Sequence, residues 1–142
     1  MSRTLQVLLT LLIATTFSSC RLKEASGSIT EVPADIPLSE FVIGSWSTEH
    51  VYMPNGEEEN YFGFDVTFRD QDTVEVVVKE NGDPMDITIS QYSYVDSDTI
   101  FIDNKRLRGG EIWHLERDAQ KLIVRITADE DKEGPTLIFI RK

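Results

Sequence analysis

Cysteine, histidine and basic side chains are all scarce in this sequence. Its 142 residues hold one Cys, two His and two Trp, and 14 Lys plus Arg stand against 25 Asp plus Glu, for a formal charge of -11. A single Cys excludes an internal disulfide framework. The two imidazoles, His50 and His114, fall in different candidate strands and cannot supply a three-histidine metal centre. The acidic field would repel a phosphate polymer, and no long basic stripe offsets it, so nucleic acid is not an expected partner. Ser47, His50 and Glu49 do not make a triad, because Ser, His and acidic residues are too common for an unordered set to carry weight. A non-catalytic protein without a cofactor is expected, with room for one domain and a modest core.

A long apolar run is missing too. Leu5 to Phe17 spans thirteen residues, broken by Gln6 and several Thr, and follows the basic Arg3. A membrane-spanning helix needs about 20 apolar residues, whereas a secretory h-region needs fewer. Ser18-Ser19-Cys20 comes next and resembles the lipobox of bacterial lipoproteins, with Phe17 in place of the usual Leu. That resemblance implies cleavage before Cys20, acylation of its thiol by chains such as palmitate, and an anchor in a membrane. The alternative is an ordinary signal peptide cut nearby, which would leave an exported free thiol. The resulting organisation is 1–19 signal peptide, 20–39 lipidated Cys and flexible tether, and 40–142 folded domain. Pro33 and Pro37 hold the tether extended. In the alternative reading it is an ordered strap anchored by Ile29, Val32 and Ile36.

From Phe41 onward the hydrophobic period is two. Phe62, Phe64, Val66 and Phe68 alternate with Gly63, Asp65 and Thr67, the pattern of a strand with one buried face. The other candidate strands are Gly44 to Tyr52, Val74 to Lys79, Ile87 to Tyr94, Thr99 to Ile102, Glu111 to Glu116, Leu122 to Thr127 and Leu137 to Arg141. Asn81-Gly82, inside the break from Glu80 to Pro84, is the strongest hairpin signal. A helical turn near Pro37 to Phe41 is the only helix signal after the leader. Eight short strands joined by polar breaks predict an all-β fold, a small antiparallel up-and-down barrel whose closure removes exposed edges. A two-sheet sandwich has the same periodicity.

Gly44-Ser45-Trp46 at the start of the first strand resembles the Gly-x-Trp opening of lipocalins. Ile112 to Leu115, Leu122 to Val124 and Leu137 to Arg141 resemble the closing strands of the lipocalin-like lipoproteins common in Bacteroidetes. The resemblance implies an eight-stranded barrel in the bacterial cell envelope, anchored in the outer membrane at its periplasmic face or the cell surface. It also implies structural parts for Gly44, Trp46 and Arg141, with the Trp packed over the barrel bottom and the basic side chain covering it. The domain is shorter than secreted lipocalins with roomy cups.

Phe62, Phe64, Tyr92, Tyr94, Phe101 and Trp113, along with Phe68 and Phe139, are the candidate lining of an apolar cavity for a small hydrophobic ligand. The same aromatics would equally be the core of a filled barrel, acting as a structural or protein-interaction module in envelope assembly or enzyme inhibition. Asp96, Asp98 and Asp103, or Glu57 to Glu59, supply hard oxygen ligands of the kind calcium takes, but neither group fits the ordered calcium loop, and acidic turns explain both. Lys105 to Gly110 is a local basic patch of a kind that meets lipid headgroups or an acidic partner, and is read as a solvated loop.

Overall fold

Turns set the topology. Asn81 and Gly82 both take left-handed φ, 50° and 86°, so Glu80 and Asp83 face each other across a two-residue hairpin. Such turns carry the right-handed twist of the strands they join. In the computed structural model, which describes residues 31–70, 72–104, 110–128 and 132–142, every strand pairs antiparallel with its sequence neighbour and the first pairs with the last. The result is a closed eight-stranded up-and-down barrel. Its elements are α1 (Leu38–Phe41), β1 (Gly44–Tyr52), β2 (Phe62–Phe68), β3 (Thr73–Glu80), β4 (Asp83–Tyr94), β5 (Thr99–Asp103), β6 (Glu111–Asp118), β7 (Lys121–Ala128) and β8 (Lys132–Arg141). Closure excludes the sandwich.

Residues directly opposite in antiparallel strands point to the same face, so register identifies the interior. Phe64, Val66 and Phe68 on β2 lie opposite Val78, Val76 and Val74 on β3. Ile100 on β5 lies opposite Trp113 on β6, and Leu122 and Val124 on β7 oppose Phe139 and Leu137 on β8. Most of these side chains belong to one buried cluster. β1 needs a correction of phase to contribute throughout: Thr48 faces Phe139 and His50 faces Ile138, so Glu49 is an extra, bulged residue that returns Val51 to the interior opposite Leu137.

Two strands are longer than their hydrophobic patterns predict. β4 begins at Asp83 rather than Ile87, and β8 at Lys132 rather than Leu137. In both the reason is a proline absorbed at an irregularity: Pro84 sits where the β3–β4 register shifts beside Val78 and Lys79, and Pro135 where the β7–β8 register shifts between Arg125 and Thr127. A shift in register tolerates a residue with no N–H to donate.

The unit that holds the barrel runs from Val32 to Lys142. Residues 32–39, which the sequence reading places in the tether, lie along the barrel base with Val32, Ile36 and Leu38 packed against the core. Arg117 Nη1 and Nη2 each donate at 2.8 Å to Pro33 O and Val32 O, and the Gln120 amide accepts from Val32 N and donates to Val32 O. Extended backbone that cannot pair in a sheet is satisfied by side chains instead. Cys20, the leader, the rest of the tether and the Lys105 to Arg108 patch lie outside the described residues.

Candidate functional site

The base of the barrel is built around two arginines. Trp46 is fully buried, donates its indole N–H to Val42 O at 2.7 Å and packs against Phe41 with ring centroids 5.2 Å apart. Its register partner is Arg141, whose guanidinium lies 4.3 Å from the Trp46 ring centre. The same group donates to Ile43 O at 2.9 Å and Phe41 O at 2.5 Å, while Arg117 covers the Phe41 ring at 4.1 Å. Burial, and then the nearby Arg117 charge, lower the Arg141 pKa. Gly44 completes the set, since its φ is +127° and a Cβ there would stand 2.7 Å from Arg141 Nη1. The Trp46 indole N–H and both Arg141 Nη atoms bond to backbone carbonyls of residues 41–43. The arrangement is a seal over the barrel base.

Above the base, the aromatics expected to line a cavity go to different places. Tyr92 and Trp113 are buried, and both approach Phe68 edge-on, at 5.4 and 6.5 Å between centroids. Tyr92 Oη donates to Asp70 O at 2.5 Å and Trp113 Nε1 to Glu111 at 2.9 Å, so both polar tips are used. Burial, then the neighbouring Tyr94, Asp70 and Asp72, raise the Tyr92 pKa. Tyr94 packs on Tyr92 at 6.0 Å, and its hydroxyl is buried without a hydrogen-bond partner among the described residues. Burial raises its pKa. Phe64 is partly buried against the core, and Phe62, 38% exposed, stands at the opposite rim from the cap. Phe101 departs from expectation. Its neighbours Ile100 and Ile102 fill the interior, so it points outward with Ile112, its ring against Gly110. Strand parity forces this, since adjacent residues cannot share a face.

The acidic turns are occupied by local bonds. Asp96 accepts from Asp98 N at 3.2 Å and Asp98 from Thr99 Oγ1 at 3.1 Å. Glu58 pairs with His50 at 2.6 Å, and Glu59 accepts from Tyr61 N at 2.7 Å. Among the described residues no group of three or more His, Cys, Asp or Glu side chains converges as a metal site. His114 is exposed and contacts Thr99 Oγ1 at 3.3 Å.

The feature that the sequence reading missed is on β4. Its register with β3 sets Asp86, Thr88 and Ser90 opposite Val78, Val76 and Val74, hence inside, and sends Ile87 and Ile89 outward opposite Val77 and Glu75. Met85, Ile87 and Ile89 are 58, 58 and 60% exposed. The strand is inverted in its upper half: apolar side chains face water and polar ones face the barrel. Pairing with β3 runs from Thr73 to Glu80 along β4, and the register with β5 runs from Gln91 to Tyr94. An open groove of about 610 Å³ runs along this strand, lined by Ile87, Ile89, Gln91 and Asp103 among others.

A signal for this was present. Ile87 and Ile89 are odd, Tyr92 and Tyr94 even, so without a bulge between them both pairs cannot point inward.

No protein-family model matches the chain. No curated protein matches it either. Among solved structures it is similar to a de novo designed fluorescence-activating β-barrel, at 15% identity and a TM-score of 0.45, over 75% of this chain and 99% of the designed one.

Proposed function

We propose that this chain is a non-catalytic β-barrel module that works by binding another protein chain through the outer face of β4. The observation that carries the reading is the inverted strand, Met85, Ile87 and Ile89 exposed in a row beside a groove. Contiguous exposed apolar surface costs solubility, and on folded proteins it marks contact sites. The interior supports the same reading, because Trp46, Phe68, Tyr92, Trp113 and Phe139 are buried together in its core. In this reading the acyl anchor at Cys20 holds the module on the envelope membrane, and palmitate labelling of wild type but not Cys20→Ala is the expected result.

The test is a photo-crosslinking amino acid at Ile89, with Ile140 on the outer face of β8 as the control position, in cells producing the full chain. Adducts at Ile89 and none at Ile140 support the contact face; equal or absent adducts overturn it.

A second reading, a small apolar ligand entering past Phe62, draws on the partly buried Phe64 and Val76 inside the rim. Native mass spectrometry of the purified chain showing a stoichiometric adduct would favour it.

A further inference from the structure

We propose that a crevice in the barrel wall between β1 and β2 takes a basic side chain, the arginine or lysine of an extended, partly apolar segment of another protein. The surface is separate from the outer face of β4, and each contact stands or falls without the other.

The wall parts there because of the register. The β1–β2 ladder runs from Gly44 opposite Phe68 to Ser47 opposite Asp65, although β1 continues to Tyr52 and β2 begins at Phe62. Phe64 N donates to Thr48 Oγ1 at 2.9 Å, and the upper part of β1 then takes a different neighbour. The chain turns at Pro54-Asn55-Gly56 and folds back on it: Met53 N donates to Glu57 O and Glu59 N to Val51 O, both at 2.8 Å, with Tyr52 bridged to Glu58. Between this returning segment and β2 lies a crevice of about 240 Å³, lined by Thr48, Glu49, Glu59, Tyr61, Phe62 and Gly63 among others. Gly63 keeps it open, since a Cβ there would stand 3.2 Å from Thr48 Oγ1 and 3.8 Å from Lys79 Cε, between two of its walls. Pockets for drug-sized ligands measure about 300–1,000 Å³, so this one suits a single long side chain.

Negative charge beside apolar surface selects the occupant. Glu59 is half-buried, and its carboxylate accepts from Tyr61 N at 2.7 Å, with no Lys or Arg paired to it among the described residues. Lys79, which also lines the crevice, has its ammonium on Asp65 at 2.7 Å, and Glu49 is held by Lys121. A carboxylate taken partly out of water without a cation beside it costs free energy that a paired cation offsets. Tyr61 and Phe62 are exposed beside it, edge to face with centroids 4.9 Å apart, and the Tyr61 hydroxyl donates to Glu80, which fixes its ring. A basic side chain meets both features, its stem lying along the rings and its charge reaching Glu59. At a formal charge of -11 the chain also draws such a segment in from a distance. A neutral or acidic segment gains neither. So small a contact binds weakly by itself, at a Kd of roughly 1 mM for an isolated peptide.

Titration of the 15N-labelled full chain with the blocked tripeptide Leu-Arg-Leu to about 10 mM, followed by amide NMR shifts, tests this. Saturable shifts gathered at Asn60, Gly63, Asn81 and Gly82, which line the crevice, are the expected result. Replacing the peptide's Arg by Gln, raising salt from about 20 mM to about 0.5 M, or substituting Glu59→Gln should each weaken binding several-fold. Gly63→Ala changes no charge and should weaken it as well, by filling the crevice. Absence of saturable shifts at those amides, or a Gln peptide that binds as tightly as the Arg one, overturns the proposal. So does binding that neither Glu59→Gln nor Gly63→Ala alters, in proteins whose other amide shifts match wild type. Shifts confined to the outer face of β4 would sink the crevice and leave the β4 contact standing.

Discussion

β2 and β4 flank the same strand and read alike, yet they face the solvent in opposite ways. On β2 the large residues Val66 and Phe68 are buried, and the outward Asp65 sits in a network with Ser47 at 2.6 Å, Lys79 at 2.7 Å and Lys142 at 2.6 Å. On β4 the outward residues are isoleucines, and the inward ones are Asp86, Thr88 and Ser90. Alternation tells how a strand is divided, whereas register tells which half is inside. β2 turns Phe64, Val66 and Phe68 into the barrel, whereas β4 turns its apolar side chains inward only at Tyr92 and Tyr94.

Replacing matched residues should separate the two strands most. Phe68→Ala removes a fully buried ring in contact with Tyr92 and Trp113 and should cost about 3–5 kcal/mol in urea denaturation. Ile89→Thr, on the outer face of β4, should change monomer stability by no more than about 0.5 kcal/mol. A comparable loss at both positions would erase the distinction.

The outer faces differ in pH response. Burial would raise the Asp65 carboxyl, but hydrogen bonds from Lys142, Lys79 and Ser47 outweigh it and hold the pKa at about 2. A carboxyl depressed on folding stabilises the protein above its unfolded value and loses that contribution as pH falls through the folded one. Wild type should thus exceed Asp65→Asn by roughly 1–2 kcal/mol at neutral pH, the gap closing between about pH 4 and pH 2. No such gap is expected for substitutions at Ile87.

On the inner face of β4 the two tyrosines provide the finest comparison. Tyr92→Phe removes the bond to Asp70 O and should cost about 1 kcal/mol. Tyr94→Phe removes a buried hydroxyl that has no partner among the described residues, and should be neutral or stabilising by up to about 1 kcal/mol. Thermal melts of both variants read the difference.

Much of this architecture was legible in the residues. β1 matches its predicted limits, Asn81-Gly82 makes its hairpin, and the meander closes, because alternation and turn chemistry are local properties. Phe101 was misplaced because an aromatic in a strand says nothing of face until its neighbours Ile100 and Ile102 are seen to fill the interior. The strap at Val32 to Ile36 was obscured by Pro33 and by partners more than eighty residues away on the β6–β7 turn. The β4 surface was missed for a different reason: alternation sets Ile87 and Ile89 on one face without saying which face is inside, and only the parity break between Ile89 and Tyr92 points to the outside.

The seal at the base also sets the order in which the chain can mature. Arg141 reaches back a hundred residues to Phe41 O, and β8 is the strand that closes on β1. During synthesis, β1 to β7 emerge as an open sheet with two raw edges, and the cap over Trp46 has no guanidinium to complete it. Loop-closure entropy is then met in one late step, when contacts between the most distant parts of the sequence form together. Until residue 141 has left the ribosome, β1 has no β8 to close on and the barrel stays open.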